Sequence, residues 1–499
     1  MSNIYEIICP EDLQNSIQSL VTKKTSKGYS VHIKVVEDFG NPPDHEAIRN
    51  FILQRNPRYY LLVGDYDRMP SYPLSGHSSD AYYGMTDIDK IPQIPFGRLS
   101  SNDPAIIEEI CNRLANYESG GNGNWTKNVI LTGWLPRNSQ QFATQSDAGW
   151  ECVEAIGNHF NIIKRFENNE SASGEHIPLA RTEWEVENTS KADLIDAINS
   201  GALIIRYLGH GTTGSWENIG KKDTNIDEKF NKDDIDTLRV GNKHPFVISA
   251  ACLTGSITPE IAFGEKWLVD GKAIGVFAAD VNTRTYWNDR ITQEIFKHVV
   301  RKRNITIGEM LVRAMQSHFE RHGDRGSEYM KAYTAYRYFG DPDTVLLDLR
   351  EDKISFNPTS AVVKGIFGRW MIVAGSMRLL YFGTNRNEAA AALNVIKHYN
   401  LNQQCFVGRP RASMEYYLVN GVSPQGPIAG EDSIPINPGN IEVQRINNSW
   451  KIVDGRMWLL DFGDSEAEAR TSYEIIRKYG FRYICFIGRP YPSMTYFRK

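Results

Sequence analysis

An α/β fold, a mostly parallel sheet sandwiched by helices and followed by two small α+β repeats at the C-terminus, is what the sequence predicts. Three observations carry that prediction. Apolar runs of strand length at residues 59–63, 128–132, 202–208, 246–250 and 273–279 alternate with longer stretches of helical periodicity, the pattern of βαβ units. These runs lack a polar alternation, so both strand faces are buried, as in a parallel sheet. Two of them stop at a single reactive residue: Ile205-Arg206-Tyr207-Leu208-Gly209-His210-Gly211 and Ile248-Ser249-Ala250-Ala251-Cys252. The third observation is that the chain beyond Arg350 repeats itself at a fixed spacing.

In chain order, residues 30–36 read as a strand and 44–55 as a helix, with Pro43 suited to its start. Residues 59–63 form a buried strand closed by Gly64-Asp65. Residues 69–90 hold Pro70, Pro73, Gly76 and Gly84, enough turn formers for a surface loop system beside a strand end. Such loops are where binding residues collect. A helix follows over 104–118, and Gly120-Gly121-Asn122-Gly123 marks a subdomain boundary. The second α/β stretch continues with helical patterns at 145–159 and 190–199, the His210 strand, polar loops at 220–243 and the Cys252 strand. A helix over 259–270, a strand over 273–279 and two helices within 289–321 complete it.

The chain of 499 residues is too long for one ordinary core. Hydrophobic residues at 41% and charged residues at 23% are those of a globular protein, and the net charge of −4 leaves no basic footprint for nucleic acid or for an anionic membrane. Met1 to Pro10 has no basic segment followed by an apolar one, and no later apolar run is long enough to span a bilayer. The six cysteines are scattered without metal-type spacing. A cytoplasmic protein with reduced thiols is therefore expected, with neither membrane nor nucleic acid among its partners.

Ligands and catalytic groups of open α/β sheets gather beyond the carboxyl ends of the strands, so neighbouring strands would bring His210 and Cys252 together. That pair is a thiol nucleophile beside its base. The backbone N–H groups of Gly211 and Cys252 are the candidate donors to an oxyanion. The rival reading is an inert buried cysteine beside a Gly-His-Gly turn.

Tyr207-Leu208-Gly209-His210-Gly211, Ser249-Ala250-Ala251-Cys252, Phe263-Gly264-Glu265-Lys266-Trp267-Leu268 and Tyr338-Phe339-Gly340-Asp341-Pro342 resemble the gingipain-like cysteine peptidases of the caspase-like clan. Leu62-Val63-Gly64-Asp65, Ser79-Asp80-Ala81-Tyr82-Tyr83 and Phe96-Gly97-Arg98-Leu99 resemble the N-terminal signature of that family, so the likeness runs from about residue 55 to 350. It implies a caspase-like fold and a cysteine endopeptidase acting on a protein substrate. It further implies an acidic residue assisting the histidine, here Asp80, and acidic residues in the same loop, here Asp87 and Asp89, selecting a basic P1 side chain. Trp287 matches an aromatic lining the substrate pocket, and Glu265 is read as a structural salt-bridge residue. No metal site and no cofactor are expected, calcium alone being left open. Limited proteolysis in bacterial defence or programmed cell death is the role the resemblance suggests; a non-catalytic, protease-like scaffold is the alternative.

The expected organisation is an N-terminal protease subdomain over 1–120, a catalytic subdomain over 121–352, repeats over 353–420 and 441–499, and a Pro- and Gly-rich linker over 421–440. Trp370 and Trp450, Cys405 and Cys485, and Ser413 and Ser493 each lie 80 positions apart, which defines a duplicated module without slippage. A unit this small has a marginal core, so the copies should pack on each other or on the protease domain. Gly408-Arg409-Pro410 and Gly488-Arg489-Pro490, with Tyr416 and Tyr496, are candidate surfaces for a partner or ligand.

Overall fold

The computed structural model describes residues 2–86, 91–117, 124–133, 160–166, 189–220, 228–257, 259–301, 305–322, 331, 333–346, 352–366, 368–375, 377–408 and 412–499. Two compact units divide the chain: Met1–Ile156, Ile162–Val299 and Asn304–Asp348 form the first, and Leu349–Lys499 with the short pieces Gly157–Asn161 and Val300–Arg303 the second.

The strands of the first unit are β1 (Ile4–Cys9), β2 (Ser30–Val35), β3 (Tyr59–Val63), β4 (Tyr72–Leu74), β5 (His77–Ser79), β6 (Phe96–Leu99), β7 (Asn128–Gly133), β8 (Asn161–Phe166), β9 (Ile204–Leu208), β10 (Ser215–Trp216), β11 (Phe230–Asn231), β12 (Phe246–Ala250), β13 (Gly275–Ala279) and β14 (Tyr336–Gly340). Its helices are α1 (Gln18–Ser26), α2 (His45–Arg55), α3 (Pro104–Tyr117), α4 (Lys191–Ser200), α5 (Lys232–Thr237), α6 (Phe263–Val269), α7 (Thr285–Arg301) and α8 (Ile307–His322). Ten strands make one sheet in the order β2-β1-β3-β6-β14-β13-β12-β9-β7-β8. From β2 to β7 in this order, neighbours are parallel except at β13 and β14, which run antiparallel, while β14 is parallel to β6. Two parallel runs of opposite direction thus meet at one seam within a single compact unit. The strands β3, β9, β12 and β13 are buried along their whole length, as their mostly apolar composition favours.

Local chemistry sets the helix starts. Asp44 accepts the Glu46 N–H at the head of α2, and Ser190 and Asp193 form a reciprocal capping box at the head of α4. The segment read as polar loops holds β11 and α5, capped by Asn231 and Asp234. The loop system after Gly64 contains the β4–β5 hairpin. The helix expected over 145–159 lies outside the described residues.

The motif Tyr338-Phe339-Gly340-Asp341-Pro342 is an anchor. Buried Asp341 accepts from Lys24 of α1, from the Tyr5 hydroxyl of β1 at 2.6 Å and from Thr344 at 3.1 Å. Asp343 accepts from Lys24 and Lys27 at 2.9 Å each and from Tyr29 at 2.8 Å. This buried cluster fastens β14 and the turn after it to the opposite end of the chain.

In the second unit every element recurs after 80 positions: β15 (Asp352–Ser355), β16 (Ala361–Ile366), β17 (Arg369–Ala374), β18 (Met377–Tyr381), α9 (Arg386–Tyr399), β19 (Gln403–Val407) and β20 (Met414–Leu418) are matched by β21 (Asp432–Pro435), β22 (Ile441–Ile446), β23 (Ser449–Asp454), β24 (Met457–Asp461), α10 (Glu466–Tyr479), β25 (Tyr483–Ile487) and β26 (Met494–Arg498). The expected linker over 421–440 is corrected here, because β21 lies inside it and pairs with β25 as β15 pairs with β19. The copies share their C-terminal hairpins, each of which faces both cores. Cys485, Ile487, Met494 and Tyr496 join the core of the first copy, and Cys405, Val407, Met414 and Tyr416 join that of the second. Each copy completes the other, the remedy for a core too small to stand alone.

Candidate active site

β9 and β12 are adjacent and in register, with Leu208 opposite Ala250, so His210 and Cys252 each leave the same end of the sheet two residues later. The pairing extends one residue past β9, the Gly209 N–H donating to Ala250 O at 3.4 Å. Gly211 then lies directly on the cysteine turn. A Cβ built there would sit 2.8 Å from each of the Ala251 Cβ, the Cys252 carbonyl oxygen and the Thr254 Cγ2, so only glycine allows this approach. The imidazole-bearing loop and the thiol-bearing turn are thereby held against each other.

Both loops are braced from below. The His210 carbonyl accepts from the Glu217 N–H at 3.0 Å and from the Tyr207 hydroxyl at 2.7 Å. Trp216 stacks on Tyr207 with centroids 4.7 Å apart and donates its indole N–H to Ser249 at 2.8 Å, and Ser249 is bonded in turn to Thr254. The Gly264 N–H donates to Thr254 O at 2.7 Å, which brings the start of α6 onto the same turn. Leu253, next to Cys252, takes a left-handed φ of 62°, a conformation costing a non-glycine residue about 1–2 kcal/mol. The surrounding bonds hold the turn in that shape; strain of this sort collects at functional sites.

His210 is exposed and Cys252 partly exposed, whereas Cys9, Cys111, Cys405 and Cys485 are buried. Burial pushes the Cys9 and Cys485 thiols up to about 12, which removes them as nucleophiles near neutral pH. Among the described cysteines, Cys252 alone combines access with a base at the neighbouring strand end. Cys152 lies outside the described residues.

The other expected residues fare differently. Asp80 is not the orienting partner of His210. Its carboxylate takes a bidentate pair from Arg98 at 2.7 and 2.8 Å and a bond from Ser71 at 2.5 Å, with Arg337 at 3.6 Å. Burial would raise its pKa, but Arg98 above all more than offsets that and holds it below the usual carboxylate range. Arg337 also reaches Asp280 at 2.6 Å, and Asp280 accepts the Ser78 N–H at 2.9 Å. The Ser79-Asp80 signature is thus an ion network that pins the β4–β5 hairpin to the end of β13. Asp87 and Asp89 lie outside the described residues. Trp287 is 7% exposed and packs edge-on against His318. Among the described residues no cation pairs with Glu265. It accepts from Ser100 at 2.5 Å and from the Ala262 N–H at 2.8 Å, and burial pushes its carboxyl up to about 7.

Sequence reasoning missed Thr283, which the structure places on the Cys252 sulfur: the Thr283 N–H donates to Sγ at 3.3 Å, and the thiol donates to Thr283 O at 3.4 Å. A threonine in a polar loop carries no signal in a sequence. Among the described residues no cluster of three or more His, Cys, Asp or Glu could hold a metal ion, and no helix is long and apolar enough to cross a membrane.

The chain resembles known proteins over most of its length. The chain is 24% identical over 366 residues to gingipain R2 of Porphyromonas gingivalis, an alignment covering 70% of this chain and 46% of the relative. It is 23% identical to gingipain R1 of the same species, over 70% of this chain and 34% of the relative. The chain therefore spans less than half the length of these curated relatives. Its fold matches the crystal structure of the Arg-specific cysteine proteinase gingipain R with a TM-score of 0.57 at 18% identity, covering 82% of this chain and 96% of that one. A structure described only as a protease follows at 0.54 and 14% identity, covering 78% and 89%. The model of peptidase family C25 matches residues 2–347, the whole of the ten-stranded sheet and both reactive strand ends, and the chain belongs to that family.

Proposed function

We propose that this chain is a cysteine endopeptidase performing limited proteolysis of a protein substrate, with Cys252 as nucleophile and His210 as its base. The observation that carries the reading is the registered β9–β12 pair, which delivers the two side chains to one end of the sheet with Gly211 packed on the cysteine turn. His210 takes the proton of Cys252, the sulfur attacks the scissile carbonyl, and His210 returns the proton to the leaving amine. Water then releases the acyl group by the same base. The N–H groups of Gly211 and Cys252 are the proposed oxyanion donors, since both sit where the two loops touch. A basic P1 residue is the proposed specificity, supported by the Arg-specific proteinase that shares the fold and by Asp87 and Asp89 as acidic candidates for the pocket. A role in bacterial defence or programmed cell death is proposed for the whole protein, with the duplicated module as its recognition part.

Fluorogenic peptides varied at P1, presented to the wild type, Cys252→Ala and His210→Ala, test this. Turnover after arginine or lysine in the wild type is expected, with a loss of at least about 10²-fold in either variant. Equal turnover in wild type and Cys252→Ala removes the assignment, and no turnover with an unlabelled Cys252 under a peptide electrophile favours the scaffold reading.

A further inference from the structure

The turn after β12 and the loop after β13 run side by side as an antiparallel ladder beyond the sheet. The Gly255 N–H donates to Ala279 O at 2.8 Å, and the Leu253 N–H donates to Val281 O at 3.3 Å. Continued regularly, the next rung would join residue 283 to residue 251. The N–H of Thr283 goes instead to the sulfur of Cys252 at 3.3 Å, and the thiol in turn faces Thr283 O at 3.4 Å and Oγ1 at 3.9 Å. Backbone hydrogen bonding is thus diverted, at one position, from the ladder to the nucleophile.

The loop that carries the diverted amide is anchored at Asp280. The Asp280 N–H donates to Ala335 O at 2.7 Å, and the Asp280 carboxylate accepts from Arg337 and from the Ser78 N–H. Ser256 bonds the Asp280 carbonyl. These bonds anchor the loop three residues before Thr283, and a donor already in place costs little to reorganise when the sulfur changes its charge.

We propose that Thr283 is a positioning residue for the nucleophile, its carbonyl oxygen holding the Cys252 sulfur while protonated and its backbone N–H holding the same sulfur as thiolate. The inference rests on the reading of Cys252 as nucleophile. In the step concerned the S–H bond breaks, the proton passes to the His210 imidazole to give imidazolium, and the electron pair stays on sulfur. The contact to the carbonyl is then lost and that to the N–H strengthens, because hydrogen bonds to an ionised acceptor are about twice as strong as neutral ones.

The test reads the thiol itself and needs no substrate. Alkylation of Cys252 in the full chain is followed against pH, with the modified peptide identified by mass, for wild type, Thr283→Ala and Thr283→Pro. Thr283→Ala keeps the N–H and is expected to keep the wild-type midpoint. Thr283→Pro lacks the N–H, and its midpoint should rise by about one pH unit, a tenfold loss of rate below it. Because proline could disturb the loop, the wild type labelled with 15N-threonine gives an independent readout. The Thr283 amide resonance, assigned by its absence in Thr283→Ala, should move with the midpoint of Cys252 alkylation and stand still in Cys252→Ala. A Cys252 that ionises with the Thr283 resonance unmoved, or a folded Thr283→Pro with the wild-type midpoint, overturns this assignment alone. A wild-type Cys252 no more reactive than a free thiol overturns it together with the nucleophile reading.

Discussion

At the scale of single residues, two kinds of constraint meet at the strand ends, one of space and one of charge. Gly211 is fixed by space, since three atoms stand 2.8 Å from where a Cβ would be. Gly211→Ala should therefore part the histidine loop from the cysteine turn and lower kcat/KM by about 10²-fold, the usual effect of a displacement near 1 Å. Gly214→Ala, whose nearest neighbour would be Lys232 Cε at 3.9 Å, should leave it unchanged, and paired peptide kinetics check both. Asp80 is fixed by charge. Asp80→Ala leaves Arg98 buried and unpaired, for an expected loss of about 3–5 kcal/mol in denaturant unfolding. Were Asp80 the partner of His210, its removal would instead shift the pH–rate profile at little cost in stability, so the two measurements separate the roles.

At the scale of elements, the motifs that resemble the family are joints between them more often than chemistry. Ser100, just past β6, donates to Glu265 of α6 and approaches Asp65, just past β3, at 3.4 Å. Burial raises the Glu265 carboxyl to about 7 in the folded chain, against about 4.5 for an ordinary glutamate. The fold thus favours the protonated form. The resulting stability is fully present below the unfolded pKa and is lost as pH rises through 7. Glu265→Gln, permanently neutral, should match the wild type near pH 4 and exceed it above pH 8 by up to about 3 kcal/mol, as seen in unfolding at the two pH values.

At the scale of the molecule, the first unit owes its form to a seam and the second to shared hairpins. The seam between β13 and β14 joins two parallel runs into one sheet, and the Asp341 cluster locks it to the N-terminal strands. In the second unit, the cores of both copies are built from both copies. A chain of residues 349–430 would lack the Cys485, Ile487, Met494 and Tyr496 side chains that close the first core. It should remain unfolded while 349–499 unfolds cooperatively; a dispersed amide spectrum from 349–430 would refute the sharing as a requirement for folding.

Periodicity and local chemistry were enough, from the sequence by itself, to determine the α/β class, the strands that carry His210 and Cys252, the helix starts at Asp44 and Ser190, and the repeat of 80 residues. Each of these depends on neighbours within a few positions, which a sequence displays directly. The first strand and β21 were less visible, because one opens the chain and the other sits among prolines and glycines, so neither shows a flanking pattern. Tertiary structure alone decided that Asp80 belongs to Arg98, that Trp287 packs on His318, that the repeats share hairpins and that the Thr283 amide meets the Cys252 sulfur. The reason is physical: an ion pair or a hydrogen bond to sulfur is chosen by which groups lie within about 4 Å once water is excluded, and spacing along the chain does not encode that distance.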